Sequence, residues 1–361
     1  MIRRSLKSVK KPQPVSSLFS PSQRRRFVKS LLAWYGLHRR DLPWRASRDP
    51  YRVWLSEIML QQTRVAAVIE HYQAFLRRFP SVAKLAAARG ASVLAAWSGL
   101  GYYRRARMLH AAAKVIARDH GREFPATATE LRALPGIGRY TAAAIASIAF
   151  HEPVAVVDGN VERVLQRISP KRLSGEELWE AANLLLDENH PGDFNQAMME
   201  LGAIVCTPRT PSCLTCPVVA FCATRGELPA GIRPLPQKKK DIHYALHHRD
   251  SEHQPPPQET GRLREGRDGQ VFLVQREPKA SLMPGMWELP ESSGASRVGG
   301  PVFTLRHSIT VTDYRVQVWP AAASLLTPRM LAAGKWIPVT RLRGLALTGL
   351  ARKILRRAKL L

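Results

Sequence analysis

Glu57 and Asp158 are the two carboxylates whose sequence neighbourhoods suit acid–base chemistry. Glu57 lies in the run Trp54 to Ile69, where apolar residues recur at three- and four-residue spacing and predict one amphipathic helix. Stepping about 100° per residue places Glu57 between Val53, Trp54 and Val68, in or beside the apolar stripe, with Gln61 on the same face one turn later. Burial raises a carboxyl pKa and keeps a proton available near neutrality, as a general acid requires. A Glu satisfied by a buried Arg or a backbone N–H is the competing structural reading. Asp158 stands between the apolar run Pro153 to Val157 and the helical run Val161 to Ile168, the place of an N-cap. A capping Asp can still turn its second oxygen toward a cavity. One protonated and one ionised carboxylate would assist departure of a leaving group and stabilise an oxocarbenium ion, the chemistry of glycosidic cleavage.

All four cysteines, Cys206, Cys213, Cys216 and Cys222, fall in one 17-residue window spaced C-x6-C-x2-C-x5-C. Thiolates so close together can surround one metal centre, whereas cysteines that staple a secreted fold are scattered. The choice lies between an iron–sulfur cluster, zinc and two disulfides. Only Cys213 and Cys216 form a zinc-type knuckle, so the spacing favours iron–sulfur.

Two glycine-containing turns suggest contact with a polyanion. Leu134-Pro135-Gly136-Ile137-Gly138-Arg139-Tyr140-Thr141 lies between helical runs Glu130 to Leu134 and Thr141 to Phe150, a helix-hairpin-helix signature. Gly136 and Gly138 let the backbone approach a phosphate at a helix N-terminus, with Arg139 beside it. A plain helix–helix turn would read similarly. Gly99-Leu100-Gly101-Tyr102-Tyr103 is followed by Arg104, Arg105 and Arg107, and aromatics beside arginines suit insertion into a base stack. Core tyrosines next to an exposed basic helix are the alternative.

These residues need a helical scaffold, and residues 23 to 221 supply one in short pieces broken by Pro and Gly, including the alanine-rich runs Ala83 to Ala96 and Ala111 to Ala117. Residues 1–21 read as a basic arm. Pro229, Pro234 and Pro236 followed by three lysines mark a linker at 229–241. From Ile242 onward, alternating runs at Val271 to Val274, Ser308 to Val318 and Trp336 to Val339 predict a mixed α and β domain. Its long hairpin loop is His247 to Asp268, and it ends in a basic helix, Ala346 to Leu360. The 55 Lys and Arg against 28 Asp and Glu, net +27, favour a nucleic-acid partner. No run of about 18 apolar residues exists, and Met1 to Lys11 lacks the apolar core of a signal peptide, so a soluble intracellular protein with no membrane partner is expected. The further expectation is a cytoplasmic, nucleoid-associated monomer.

Seven motifs occur in order: Leu42-Pro43-Trp44-Arg45, Ser56 to Thr63, Gly99 to Tyr103, Leu134 to Thr141, Val157 to Val161, Phe194-Asn195-Gln196 and the four cysteines. With them the chain resembles adenine DNA glycosylases of the MutY family, densely over residues 24 to 225. The likeness continues more thinly through a C-terminal domain that looks Nudix-like, with Met286-Trp287-Glu288-Leu289-Pro290 in its strand region. The resemblance implies a multidomain α plus α/β protein: an arm (1–21), an all-helical glycosylase domain (22–228) with an iron–sulfur loop (206–222), a linker (229–241) and a mixed α/β domain (242–361). It implies that Glu57 protonates an adenine leaving group and Asp158 stabilises the oxocarbenium ion or its covalent successor, supported by Tyr140 and Asn160. Trp44, Arg45 and Gln196 would meet the flipped adenine, and Gln62 and Tyr102 would probe or wedge the duplex. The cysteines would hold a 4Fe-4S cluster, and the partner would be double-stranded DNA containing mispaired adenine.

Three positions sharpen this reading. Tyr140 stands where endonuclease III-like relatives carry a Schiff-base Lys, which predicts a monofunctional enzyme. The family's Phe-Ser-His-like triplet after an Arg-His pair is missing, since Arg306-His307-Ser308 is followed by Ile309-Thr310-Val311. Thr310 would replace the serine, with His307 and Ser308 nearby, giving a weaker or differently built preference for 8-oxoguanine. The acidic Nudix pattern is also missing, so pyrophosphatase activity is not expected. The alternatives are a G/T-mismatch thymine or endonuclease III-like glycosylase and, from another class, a noncatalytic iron–sulfur protein that binds DNA or senses redox state.

Overall fold

In the computed structural model the described residues are 15, 18–225, 238–249, 269–280, 283–292, 300–309 and 312–361. The helices are α1 (Pro21–His38), α2 (Pro50–Leu60), α3 (Val65–Arg78), α4 (Val82–Ala86), α5 (Gly90–Trp97), α6 (Arg104–Asp119), α7 (Ala128–Leu131), α8 (Arg139–Phe150), α9 (Gly159–Ile168), α10 (Gly175–Leu185), α11 (Pro191–Ile204), α12 (Pro328–Ala333) and α13 (Gly349–Arg357). Among the described residues none is long and apolar enough to cross a membrane.

Two compact units divide the chain within α2: Met1–Ile58 with Glu123–Gly231, and Met59–Arg122 with Ile232–Leu361. The first unit has helices and no strand among its described residues. Its centre is α8, where every residue from Thr141 to Ile148 is buried and four are alanines. Small side chains there let α11 approach the α8 backbone closely. At the closest point, a Cβ on Gly192 would meet Ser147 O at 2.7 Å and Ile148 Cα at 2.8 Å. α1 opens with a capping box between Ser20 and Gln23, and Phe27 and Leu31 on it are fully buried.

The second unit joins α3–α6 with the C-terminal sheets. One sheet has the order β1 (Lys238–Leu246), β6 (Thr312–Pro320), β5 (Phe303–Ile309), with β1 parallel and β5 antiparallel to β6. In the other, β3 (Gln270–Gln275) pairs antiparallel with β2 (His248–Arg249), β4 (Trp287–Glu288) and β7 (Gly334–Pro338). Val271, Leu273, Val316 and Val318 from the sheets close a core with Leu350, Ile354 and Leu355 of α13. The loop before α6 is fastened to this C-terminal part. Leu347 O accepts hydrogen bonds from Ser98 Oγ (2.9 Å) and Tyr103 Oη (3.0 Å), and Arg352 Nε donates to Ser98 Oγ (3.0 Å).

Several sequence expectations are corrected here. Trp54 to Ile69 is two helices, because the chain turns at Gln62 with φ 55°. The break escapes a periodicity reading because its four residues, Gln61 to Arg64, span about one helical turn and leave the apolar spacing in phase. The expected arm ends earlier, since Val15 and Phe19 are buried and Phe19 meets Phe27 at 6.4 Å between ring centres. The three lysines read as linker open β1, an edge strand, where exposed Lys is tolerated. The terminal helix starts at Gly349, capped by Thr348, so Ala346 and Leu347 precede it. α7 runs from Ala128 to Leu131, set by the capping box of Thr127 and Glu130. Most of the expected hairpin loop, residues 250–268, lies outside the described residues.

Because no side chain fits between α11 and α8 at position 192, Gly192→Ala should destabilise the protein by about 1–3 kcal/mol through overpacking. A lowered denaturant midpoint would register it, and an unchanged midpoint would show that the helices part without penalty.

Candidate active site

Glu57 is 7 % exposed on the buried face of α2, beside Val53 and Trp54. Tyr140, on the first turn of α8, donates a 2.5 Å hydrogen bond to Glu57 Oε2 and a 3.2 Å one to the sulfur of Met199. Burial raises the Glu57 pKa to about 7. The Tyr140 hydrogen bond works against that rise, the Asp158 charge adds to it, and Arg45 opposes it. Tyr140 itself is held well above its ordinary range, first by burial and then by the Glu57 and Asp158 charges. The phenol is therefore a hydrogen-bond donor near neutrality and Glu57 a carboxyl that can carry a proton.

Asp158 is the N-cap of α9, and Oδ1 accepts from the N–H groups of Asn160 (2.9 Å) and Val161 (2.8 Å). Its second oxygen, Oδ2, accepts from Asn160 Nδ2 at 2.9 Å. Capping therefore uses one oxygen, and the other accepts from the Asn160 side chain. Asn160 is fixed in turn by Arg163, whose guanidinium donates to Asn160 Oδ1 (2.8 Å), Gly202 O (2.7 Å) and Cys206 O (2.7 Å). A Cβ on Gly202 would lie 2.6 Å from Asn160 Cβ, so α9 and α11 touch at the residue that aims Asp158.

Arg45 and Trp44 sit in a single 3-10 turn, Pro43–Arg45, with Trp44 buried. Arg45 donates to Glu200 Oε2 at 2.9 Å and lies 5.5 Å from the centre of the Tyr35 ring. Arg40 makes a bidentate pair with the same carboxylate at 2.8 and 2.7 Å. Burial alone would push the Glu200 pKa up, but the hydrogen bonds from Arg40 and Arg45 outweigh it and bring it to about 2. Gln196 is half-buried on α11, one turn before Glu200.

The four cysteines line one cavity, walled by Val164, Ile168, Leu201 and Val218. None is in a disulfide. Burial pushes the Cys216 thiol up to about 11, the Val218 N–H opposes this, and the other three cysteines add to it. Arg167 donates to Cys206 Sγ at 3.1 Å, and the Arg225 N–H to Cys222 Sγ at 3.3 Å. Among the described residues no three His, Cys, Asp or Glu side chains form a ready site for a single metal ion.

At the helical hairpin Gly136 has φ 75°, and Gly138 begins α8 without a side-chain cap. Arg139 is engaged within the protein: it donates to both oxygens of Glu176 (2.8 and 2.9 Å) and its guanidinium lies 4.0 Å from the Trp179 ring centre.

The remaining predicted residues belong to the second unit. Gln61 lies beyond the end of α2 rather than on the face it was expected to share with Glu57. Gln62 and Tyr102 are exposed at turns with φ 55° and 46°. His307 is half-buried on β5, and burial together with Lys353 lowers its pKa. Ser308 pairs with Asp313 across β5 and β6, while Thr310 lies outside the described residues.

This geometry has known counterparts. Residues 55–183 match the family model of HhH-GPD superfamily base excision DNA repair proteins. The chain is 39% identical over 311 residues to the adenine DNA glycosylase of Homo sapiens, covering 73% of this chain and 57% of that protein. It is 34% identical over 320 residues to the adenine DNA glycosylase of Schizosaccharomyces pombe, covering 73% of this chain and 69% of the relative. The chain belongs to the adenine DNA glycosylase family. It spans roughly half to 60% of the length of the mammalian and plant members it matches. Among solved structures, that of a thermostable thymine-DNA glycosylase superposes with a TM-score of 0.54 at 30% identity, covering 57% of this chain and 98% of that one.

In this member of the adenine DNA glycosylase family, Arg40, Glu200, Arg163 and Met199 contact the candidate site residues and were not legible from the sequence. The one available signal was helical spacing, since Gln196, Met199 and Glu200 fall on one face of α11. The folded-state pKa of Glu200 is depressed, so its stabilisation is present above the ordinary carboxylate range and is lost as pH falls toward about 2. Glu200→Gln should therefore lower stability by about 3 kcal/mol near neutrality, as expected when one partner of a buried pair is removed. In chemical denaturation the difference from the unsubstituted protein should shrink on acidification. A constant difference would show that the carboxylate charge is not what holds Arg40 and Arg45.

Proposed function

We propose that this chain is a base-excision glycosylase that flips adenine out of A·8-oxoguanine or A·G mispairs and hydrolyses its N-glycosidic bond. The observation that carries the reading is the buried Glu57 carboxyl with a pKa of about 7, hydrogen-bonded by Tyr140 and near Asp158. Removing the target nucleotide from the stack brings the base to these groups. Glu57 delivers its proton to the departing adenine, which leaves as a neutral base. Asp158, with Oδ2 aimed by Asn160, stabilises the positive sugar left behind and a water completes the hydrolysis. Tyr140 occupies the position where a Lys would form a Schiff base, so no strand-cleaving step follows. Trp44, Arg45 and Gln196 bind the flipped adenine. Gln62 and Tyr102 probe the duplex, Gly136, Gly138 and Arg139 take a phosphate, and His307, Ser308 and Thr310 meet the opposing base. Arg139 exchanges Glu176 for that phosphate.

Cys206, Cys213, Cys216 and Cys222 fit a 4Fe-4S cluster. All four line one cavity, and Arg167 and a backbone N–H point donors at two of the sulfurs, which suits thiolate charge. A group larger than a single ion suits thiols that share a cavity without converging on one point. When bound, the cluster supplies a rigid cross-link for the loop after α11, where Arg209 and its neighbours face phosphates. The basic excess of the chain supports a mispaired duplex as the partner.

The test is adenine release from duplexes with adenine opposite each of the partner bases. The likeness to a thymine-DNA glycosylase favours one competing reading, thymine release from G·T, which the same panel would expose. Glu57→Gln should lower the single-turnover rate by about 10²–10⁴-fold. Because the acid acts in its protonated form, the rate should fall as pH rises through about 7. The Tyr140 hydrogen bond holds that pKa down, so Tyr140→Phe should move the falling limb to higher pH. A limb that stays in place would remove Tyr140 from the proton's control. Cys213→Ser should lose bound iron and the cluster's visible absorbance and weaken DNA binding. Full iron content in that variant would end the ligand assignment.

A further inference from the structure

One guanidinium in the second unit holds together two turns that are far apart in sequence. Arg105, near the start of α6, donates through Nη1 to Met59 O (2.9 Å) and Gln61 O (2.5 Å), carbonyls left over at the end of α2. Through Nη2 it donates to Thr63 Oγ1 (2.9 Å), Leu100 O (3.2 Å) and Gly101 O (3.3 Å). Its plane lies 5.3 Å from the Tyr102 ring centre and 5.5 Å from that of Trp97. Trp97 Nε1 donates to Gly101 O at 3.2 Å, completing the clasp.

Each of the two turns carries an exposed side chain on strained backbone. Gln62 has φ 55°, and Tyr102 has φ 46° directly after Gly101 at 70°. Non-glycine residues persist in that region when the surroundings over-determine them. Arg105 provides the determination on both sides: Gln62 lies between two residues it bonds, Gln61 and Thr63, and Tyr102 follows two carbonyls it bonds and stacks on it. A cation spent on five protein acceptors is not available as a phosphate contact, although the sequence around it reads as a basic helix.

We propose that Arg105 is a positioning residue that locks the Gln62 and Tyr102 turns into one two-pronged probe, and that opening of the duplex depends on it while bond cleavage does not. This rests on the reading of Gln62 and Tyr102 as the residues that enter the duplex. A lysine preserves the charge but lacks the planar fork, so Arg105→Lys separates positioning from phosphate attraction.

The experiment compares single-turnover adenine release by Arg105→Lys on a fully paired duplex with one A·8-oxoguanine mispair and on the same adenine in an unpaired bubble. Fluorescence of 2-aminopurine placed beside the mispair reports unstacking without any excision. The expected result is a loss of about tenfold or more on the paired duplex, a change of less than about threefold on the bubble, and a diminished fluorescence rise. Tyr102→Ala should show the same split, and the double variant should be no worse than the weaker single, as for residues acting as one unit. Equal losses on both substrates, additive losses, or a lysine variant that behaves as the unsubstituted protein would each overturn the proposal. Should Arg105→Lys fold poorly, Thr63→Val removes one acceptor of the clasp and should give a smaller split in the same direction; no split there would also count against it. If the unsubstituted protein releases no adenine from either substrate, the functional reading fails, while the fluorescence comparison still decides the role of Arg105.

Discussion

The hydrogen bond between Tyr140 and the buried carboxyl of Glu57 is the interaction around which the first unit is organised. A carboxyl cut off from water holds its proton tightly, and a donor at 2.5 Å partly offsets that preference. Making the bond requires α2 to bury one carboxyl among apolar side chains and α8 to begin beside it. The glycine turn ahead of α8 meets the second demand, and the alanines of α8 leave room for α11 to bring Met199, Gln196 and Glu200 to the same region. Burial raises the Glu57 pKa, and the neighbours trim it to a value where loading and release of a proton are both feasible near neutrality.

Arginine does much of the positioning, and the net charge of +27 conceals this. Arg45 and Arg40 share one buried carboxylate, Arg163 joins Asn160 to two carbonyls, Arg105 ties two turns, and Arg352 donates to Ser98. In Arg163 and Arg105 the planar fork satisfies several carbonyls that backbone ends and turns would otherwise leave bare. The share of the basic excess available to a polyanionic partner is therefore smaller than the sequence count implies. Even Arg139, at the hairpin, spends its charge on Glu176 and its plane on Trp179.

What was legible in the sequence was local. Asp158 as an N-cap with a spare oxygen follows from its place between an apolar run and a helix, and the short interval between cysteines follows from the loop that gathers them. Glu57 was placed correctly on a buried face even though its helix was drawn too long, because three- and four-residue spacing defines a face without defining an end. Glu200, Arg163 and Arg105 were not legible. A Glu or Arg on a helix reads as solvated, and only contacts with partners well away in sequence, 43 residues between Arg163 and Cys206, 46 between Arg105 and Met59 and 155 between Arg45 and Glu200, turn it into a strut. The lysines of β1 were misread for the same reason, since it is pairing with β6, Lys239 with Asp313, that makes them strand.

The contact between Gly202 and Asn160 bears on how this protein can change over time. A packing conflict in a helical interface is ordinarily relieved by trimming the opposing side chain. At this crossing the opposing atoms belong to the residue that aims Asp158, and two of the three nearest are backbone atoms that no substitution trims. The compensating route is closed, so the tolerance of position 202 is set by the neighbour that orients Asp158 and not by any contact of its own.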